Sequence, residues 1–347
     1  MNATTRGATR AATHLTTHLT APSAVPPAPA ALLPRRTSRS VHAALNTALP
    51  GLALALLLGA VFWRQPRAMS YFGVNLLLNV AIPIMFATLA QMMILAVSDL
   101  DLSIGPFVSL VVCIGATLLP EQPLLAVAAL AGAVAVYALA GALIEARQLP
   151  SIVVTLGLSF VWLGGAVLLV PTPGGSAPAW LQALMRFKAP GLPLPIWVAL
   201  LAAGLGHWLI TRSAYGALVR GVGGNAAAVG RAGWSLLRIR AGVYAVAGVF
   251  GVCAGLMLLG QTTSADANIA ARYTLVSIAS VILGGGQFVG GVVAPVGAVL
   301  GAMTMTLAAS FLTFLDIAPD WQIGMQGLIL ILVLGLRAGL DRLERRP

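Results

Sequence analysis

The sequence predicts an all-α, polytopic membrane protein with about ten transmembrane helices, some of them broken or re-entrant. The 347 residues are 59% hydrophobic and only 8% charged, and the mean hydropathy is +0.94. A soluble domain usually carries about a quarter charged residues, so this chain needs lipid around it. At about 20 apolar residues per crossing, the length accommodates roughly ten helices and no large aqueous domain. The composition therefore excludes a soluble enzyme.

The chain divides into a basic tail at residues 1–42 and a transmembrane domain at residues 43–340. The tail holds five prolines and five arginines without an acid, which is typical of disorder. Its composition also fits an organellar transit peptide, although the prolines oppose an amphipathic helix. The predicted apolar segments are 43–63, 74–97, 104–119, 123–144, 150–170, 192–211, 240–260, 274–284, 292–315 and 321–337.

The basic residues predict the orientation of these segments, because Lys and Arg collect on the cytoplasmic side of a membrane. With ten crossings and the amino terminus inside, fifteen of the 20 Lys and Arg residues fall in inside regions. The excess predicts that both termini are cytoplasmic. The net charge of +11 is thus a topology signal, and no nucleic-acid partner is expected.

Two acids interrupt the apolar pattern between the second and third segments. Asp99 and Asp101 lie in residues 98–106, where no hydrophilic loop separates the segments. Polar backbone at membrane depth is tolerated only where protein or a water-filled cavity covers it, so the pattern indicates a helix break inside the bundle. Asp101 or Ser103 can accept hydrogen bonds from the free N–H groups of the next helix. A structural cap is favoured over direct ligand contact. The candidate residues at this break are Asp99, Asp101, Ser103 and Gly105.

A glycine-rich stretch at residues 284–291 predicts a second break. Its candidate residues are Gly284, Gly285, Gly290 and Gly291, which allow a sharp turn and close helix packing. The stretch is no phosphate cradle, because a P-loop needs a Lys after its last Gly and the only Lys of the chain is Lys188. Two interrupted segments, one in each half, are typical of an internally duplicated transporter, and such breaks often lie near the transport path.

The longest predicted inside loop covers residues 212–239 and holds four arginines without an acid. A run of three alanines after Gly223, Gly224 and Asn225 indicates a short helix along the membrane surface. A basic loop that only determines topology explains the pattern equally well.

Neutral polar residues inside the apolar segments are the candidates to line a path for a polyol, since sugars are bound by hydrogen bonds from amides and hydroxyls. Gln91, Thr155 and Gln287 are the candidates to line this path, although helix packing is the commoner use of such groups. The few acids and histidines form no nucleophile, base and oxyanion set, so no catalytic residue is expected. The two cysteines and four histidines predict no metal site within the helices.

Three stretches make the chain resemble the permease subunits of bacterial ABC sugar importers of the ribose, xylose and galactose type, relatives of the branched-chain amino acid permeases. Residues 101–105 look like the family's Asp-Leu-Ser-Val-Gly signature, and residues 150–157 look like its Pro-Pro-Phe-Ile-Ala-Thr-Leu-Gly segment. The third stretch runs in order from residue 223 to residue 291. The chain departs from the family pattern at Ser98 and Leu100, where Gly and Ile are usual. Further departures are Ala226, Val276 and Val292.

The resemblance implies a multi-pass subunit of the bacterial inner membrane that translocates a monosaccharide. Its implied partners are a second permease copy or paralogue, a cytoplasmic ABC ATPase, a periplasmic sugar-binding protein and the membrane lipid. ATP and magnesium would be bound by the partner ATPase, with no cofactor on this chain. Residues 214–233 would form the coupling helix that docks on the ATPase, and its candidate contacts are Gly223, Gly224, Asn225, Ala227, Ala228 and Gly233.

Two other functions stay open at this point. One is a branched-chain amino acid ABC permease, which shares the fold and the partners. The other is a proton-coupled secondary transporter that uses Asp99 or Asp101 as its proton carrier.

Overall fold

The computed structural model describes residues 36–315 and the single positions 321, 324, 327, 328, 331 and 335; side chains are described from residue 50 onward. Residues 36–315 are predominantly helical, and their one β pairing is a bridge between Gly174 and Ala265. The first helices are α1 (Arg36–Arg64), α2 (Tyr71–Asn79), α3 (Ala81–Leu95), α4 (Ile104–Thr117), α5 (Pro123–Arg147) and α6 (Ser151–Leu169). The later helices are α7 (Ala179–Met185), α8 (Leu194–His207), α9 (Ala214–Arg231), α10 (Leu236–Thr262), α11 (Tyr273–Leu283) and α12 (Pro295–Phe314). A 3₁₀ turn precedes α2, and a π-helical turn extends α8 to Arg212.

Five helices in the described part are long and apolar enough to cross a membrane: α5, α6, α8 with its π-helical turn, α10 and α12. Helices α2 and α3 meet the same criterion only as a pair, which is bent by 41° at a short break and forms either a broken span or a re-entrant loop. Helices α4 and α11 are apolar but shorter, as is the part of α1 from Pro50 to Arg64. The structure is therefore that of a multi-pass membrane protein.

Helix α3 lies at the centre of the bundle. Nearly all of its side chains are buried, and it packs against α8, α10, α11 and α12. A helix that is apolar around its whole circumference has no face for water or headgroups, which explains this central position.

The outer helices expose apolar side chains in large numbers. In α5 and α6, Leu124, Leu139, Phe160 and Leu168 are each more than 60% exposed. A monomeric soluble protein rarely leaves a contiguous surface of this kind, whereas lipid solvates it without cost. The exposed faces confirm the prediction of a membrane protein.

The predicted apolar segments between residues 43 and 315 coincide with helices of the structure. The predicted segment 321–337 lies largely outside the described residues. Helix α1 begins at Arg36, inside the predicted tail of residues 1–42, so the last tail residues belong to this helix; residues 1–35 lie outside the described part. The count of ten crossings and the cytoplasmic placement of both termini stay predictions.

Candidate functional site

The first break, residues 96–103, is organised around the carboxylate of Asp101. Asp101 is fully buried and accepts hydrogen bonds from the Ser103 N–H at 2.7 Å, from the Ser103 hydroxyl at 2.7 Å and from the Tyr137 hydroxyl. A buried carboxylate is tolerated where donors surround it. Ser103 is the N-cap residue of α4, but its side chain accepts no bond from a helix N–H. Of the two predicted capping residues, only Asp101 accepts a backbone N–H. That N–H belongs to Ser103, which precedes the first residue of α4.

The N–H of Gly105 in the first turn of α4 is bound by a distant residue. Thr274, in the first turn of α11, accepts it through Oγ1 at 3.0 Å. A Cβ atom on Gly105 would lie 2.6 Å from that oxygen and 2.7 Å from the Ala270 carbonyl oxygen. Gly105 is therefore required for the close approach of the two helix starts.

Gln91 and Thr155 also support the first break. Thr155 Oγ1 accepts a hydrogen bond from the Leu102 N–H at 3.1 Å. The Gln91 side chain, in the amide orientation that satisfies both of its ends, bonds to the backbone O and N of Asp101 at 3.1 and 3.3 Å. Both side chains are fully buried, so in the described conformation they hold the backbone of the break.

Asp99 joins a small cluster of charged groups at the ends of α5 and α10. Arg240 Nε lies 3.0 Å from Asp99 Oδ2, and Arg240 Nη1 forms a second ion pair with Glu145. The Tyr244 hydroxyl donates to Asp99 at 3.4 Å. The side chains of Arg240 and Asp99 are only 15% and 8% exposed, so each charge is stabilised mainly by the opposite charge and little by water.

The second break is built from glycines. Helices α11 and α12 run antiparallel with their backbones in contact. A Cβ atom on Gly297 would lie 1.9 Å from the Gly284 carbonyl oxygen, and one on Gly301 would lie 2.2 Å from the Ser280 carbonyl oxygen. Any larger side chain at these positions would force the helices apart, so only glycine permits the hairpin.

The loop between α11 and α12 needs glycine for its backbone conformation as well. Gly285, Gly290 and Gly291 have φ values of 103°, 96° and 67°, which residues with a Cβ rarely adopt. Gln287 is exposed in this loop, and its N–H donates to the Val292 carbonyl at 2.9 Å.

Helix α9 occupies the long basic loop and is broken at Asn225, whose φ and ψ are −158° and 86°. Asn225 Oδ1 accepts a hydrogen bond from the Ala228 N–H at 3.0 Å and so restarts the helix. Before the break, Val219 and Val222 are buried; after it, Ala227 and Ala228 are exposed. The helix thus has an inner half in the bundle and an outer half open to a partner.

A hydrogen bond and a glycine turn lie at the two ends of α9. Burial raises the pKa of Tyr215 to about 12, so its hydroxyl stays protonated and donates to the Ile239 carbonyl at 3.1 Å. Gly233 follows the helix with a φ of 88° and is exposed. The outer half therefore ends in a turn that only glycine adopts readily.

Gly223 brings α9 into contact with both breaks. A Cβ atom on Gly223 would lie 2.2 Å from the Ala96 carbonyl oxygen and 2.7 Å from Gly291 Cα. A Cβ atom on Gly291 would in turn lie 2.4 Å from the Arg220 carbonyl oxygen. Three segments that are far apart in sequence therefore meet backbone to backbone. We name this cluster, formed by residues 96–99, 220–224 and 290–291, the junction.

Sequence reasoning missed several residues of the site. Arg240 and Glu145 could have been found from the sequence, since each is a charged residue at the end of a long apolar segment. Gly297 and Gly301 form a G-x-x-x-G pattern in an apolar helix, which indicates close helix packing. Tyr137 and Thr274 carried no such signal, because their partners are known only from the tertiary structure.

The fold and the junction define a class: a multi-pass membrane protein whose broken helices contact an amphipathic loop helix at one end of the bundle. The chain belongs to the family described as the branched-chain amino acid transport system permease component, whose model matches residues 71–334. Membership confirms the resemblance to ABC permeases that the sequence motifs predict.

Several transport permeases are similar to the chain over most of their length. The ribose import permease protein of Haemophilus influenzae is 25% identical over 295 residues, covering 81% of this chain and 89% of the relative. The autoinducer 2 import system permease protein of Enterobacter sp. (strain 638) is 28% identical, covering 85% and 88%. The galactose/methyl galactoside import permease protein of Haemophilus influenzae is 26% identical, covering 82% and 91%. No solved structure matches the chain significantly.

Proposed function

We propose that this chain is the membrane-spanning permease subunit of an ATP-driven importer of a monosaccharide in the bacterial inner membrane. It would work with a second permease copy or paralogue, a cytoplasmic ABC ATPase that binds ATP and magnesium, and a periplasmic sugar-binding protein. The chain itself would supply the path and the docking helix, without catalysis. The functions of its relatives, import of ribose and of galactose among them, support the sugar class.

The observation that carries the proposal is the division of α9 at Asn225. Its outer half exposes Ala227 and Ala228, and the following residues expose Trp234 and Leu237 with 54% and 42% of their surface open. Its inner half contacts both helix breaks through Gly223. A partner that moves the outer half therefore acts on both breaks at once. We place this end of the bundle in the cytoplasm, because its loop concentrates arginines.

The environments of the two acids disfavour proton-coupled transport. Asp99 is ion-paired with Arg240, and Asp101 is saturated with donors from Ser103 and Tyr137. A proton carrier has to bind and release a proton during each cycle, whereas here Arg240, Ser103 and Tyr137 already engage the oxygens of the two carboxylates.

The test is uptake by a reconstituted complex. The chain is expressed with its candidate ATPase, purified as a complex and placed in liposomes together with the binding protein. Labelled ribose, galactose, xylose and leucine are then offered with and without ATP. We expect ATP-dependent accumulation of one of the sugars. Uptake by the chain alone under a proton gradient, or uptake of leucine only, would contradict the proposal.

A matched pair of variants tests the docking role. Gly224 is exposed on α9. Gly157 is exposed on α6, and nothing lies within 4 Å of the position that a Cβ atom would take there. We expect Gly224→Trp to insert normally but to lose ATPase binding in a pull-down, whereas Gly157→Trp should bind the ATPase as the wild type does. Equal binding by both variants would remove α9 as the docking helix.

A further inference from the structure

Ser98 occupies a backbone conformation that its residue type disfavours. It lies in the first break, three residues after the end of α3, with a φ of 60°. The left-handed region is the ordinary place of glycine. A serine at this position therefore has to be stabilised by its side chain.

The Ser98 hydroxyl makes two hydrogen bonds across the junction. It donates to the Gly223 carbonyl oxygen of α9 at 3.0 Å. It accepts from the Gly290 N–H of the glycine-rich loop at 3.1 Å. One oxygen atom thereby joins the first break, the docking helix and the second break.

The other contacts of the junction act differently. The approaches of Gly223 to Ala96 and of Gly291 to Arg220 are close packing without a hydrogen bond between side chains. Close packing resists compression but opposes separation only weakly. The hydroxyl of Ser98 supplies directed bonds that hold α9 and the second break together when they are pulled apart.

We propose that Ser98 is a positioning residue that makes α9 and the glycine-rich loop move as one unit. The proposal rests on the proposed function, because it assigns to Ser98 the step by which movement of the docking helix reaches the second break. A hydroxyl that bridges both segments converts a displacement of α9 into a displacement of Gly290.

The decisive variant is Ser98→Gly, because glycine keeps the backbone conformation and removes only the hydroxyl. We expect its unfolding temperature to be equal to or above that of the wild type. The amount of sugar imported per ATP hydrolysed should fall about three- to tenfold, which corresponds to the loss of a typical hydrogen bond. Ser98→Asn, which tolerates a positive φ and retains a donor and an acceptor, should restore part of the ratio. Ser264→Gly, in an exposed loop at the opposite end of the bundle, should leave the ratio unchanged.

A second measurement does not depend on transport. Spin labels at Ala228→Cys and Val289→Cys, both exposed positions, report the distance between α9 and the glycine-rich loop after the native cysteines are replaced. We expect a narrow distance distribution in the wild-type background and a broader one with Ser98→Gly.

The outcomes separate the two proposals. If the wild-type complex shows no ATP-dependent uptake, the proposed function fails, and the label distances alone decide the role of Ser98. If the wild type transports and Ser98→Gly matches it in both the transport ratio and the width of the distribution, the positioning role of Ser98 is overturned and the proposed function stands.

Discussion

The two helix breaks of this protein solve the same problem by opposite means. In the first break, polar side chains occupy the space, and Asp101, Gln91 and Thr155 are all fully buried. In the second, glycines leave no side chain in the helix contact, and Gly284, Gly297 and Gly301 bring two helix backbones together. Irregular backbone in a membrane must find partners within the protein. The first break finds them in carboxylate, amide and hydroxyl groups, and the second finds them in its own backbone.

The difference predicts different sensitivities. The polar backbone groups of the loop in the second break are satisfied by backbone hydrogen bonds. One example is the bond from the Gly286 N–H to the Val281 carbonyl at 2.8 Å. Adding side-chain atoms there should lower the free energy of unfolding the most. The first break should instead be destabilised when polar atoms are removed. Four sets of variants test this contrast, in order of decreasing expected loss of stability.

Gly297→Ala should be the most damaging. Its Cβ would lie 1.9 Å from the Gly284 carbonyl oxygen, so α11 and α12 must separate, and the free energy of unfolding should fall by about 3 kcal/mol or more. The measurement is thermal or denaturant unfolding in detergent. Gly157→Ala is the matched control, because nothing lies within 4 Å of its Cβ position; it should change stability by less than about 1 kcal/mol. Equal effects of the two variants would refute the close-packed hairpin.

Asp101→Leu should come next. It leaves the Ser103 N–H and the Tyr137 hydroxyl without their acceptor, and each buried unsatisfied group costs about 1–3 kcal/mol. Asp101→Asn keeps one acceptor oxygen and should cost about 1 kcal/mol. Unfolding of both variants is compared under the same conditions. Equal losses would point to a role of the negative charge itself.

Arg240→Met should have an intermediate effect, because it leaves Asp99 and Glu145 without their cation. Both carboxylates are largely buried, and we expect a loss of about 2 kcal/mol, within the range for a charged hydrogen-bonded group. A double-mutant cycle with Asp99→Asn measures the pairwise term. Arg238→Met, at an exposed position of the same helix, is the control. Additive losses in the cycle would show that the two groups do not interact.

Thr274→Val should be the mildest change. It removes the acceptor of the Gly105 N–H at nearly constant volume, and the expected loss is about 1 kcal/mol. Thr274→Ser keeps the hydroxyl and should lose less. This pair tests the one hydrogen bond between the starts of α4 and α11, and a larger loss with serine than with valine would assign the role to the methyl group.

The sequence predicted most of the helices and the positions of both breaks. Long apolar runs identify helices because lipid accepts no other backbone arrangement at this length. The motif at residues 101–105 and the glycines at residues 284–291 stand out because acids and clustered glycines are rare in such runs. The pattern left open whether residues 212–239 form a helix, and the structure decides this point with α9.

The partners of the site residues were not predictable. Gln91 and Thr155 were candidates for a substrate path or for helix packing, and the structure places their side chains against the backbone of the first break. Thr274 binds the Gly105 N–H across 169 positions of the chain, and no local pattern marks such a pair. The predicted sites of docking and transport stay predictions until the variants are measured.

Composition and local backbone preferences were enough to establish the solvent, the helical class and the places where helices stop. Only the packed bundle reveals that the two breaks and α9 meet, since Gly223, Ala96 and Gly291 approach each other after distant segments have come together. The same packing gives Ser98 its role. A serine among apolar residues is ordinary in sequence, and its hydroxyl acquires two distant partners only when three segments converge.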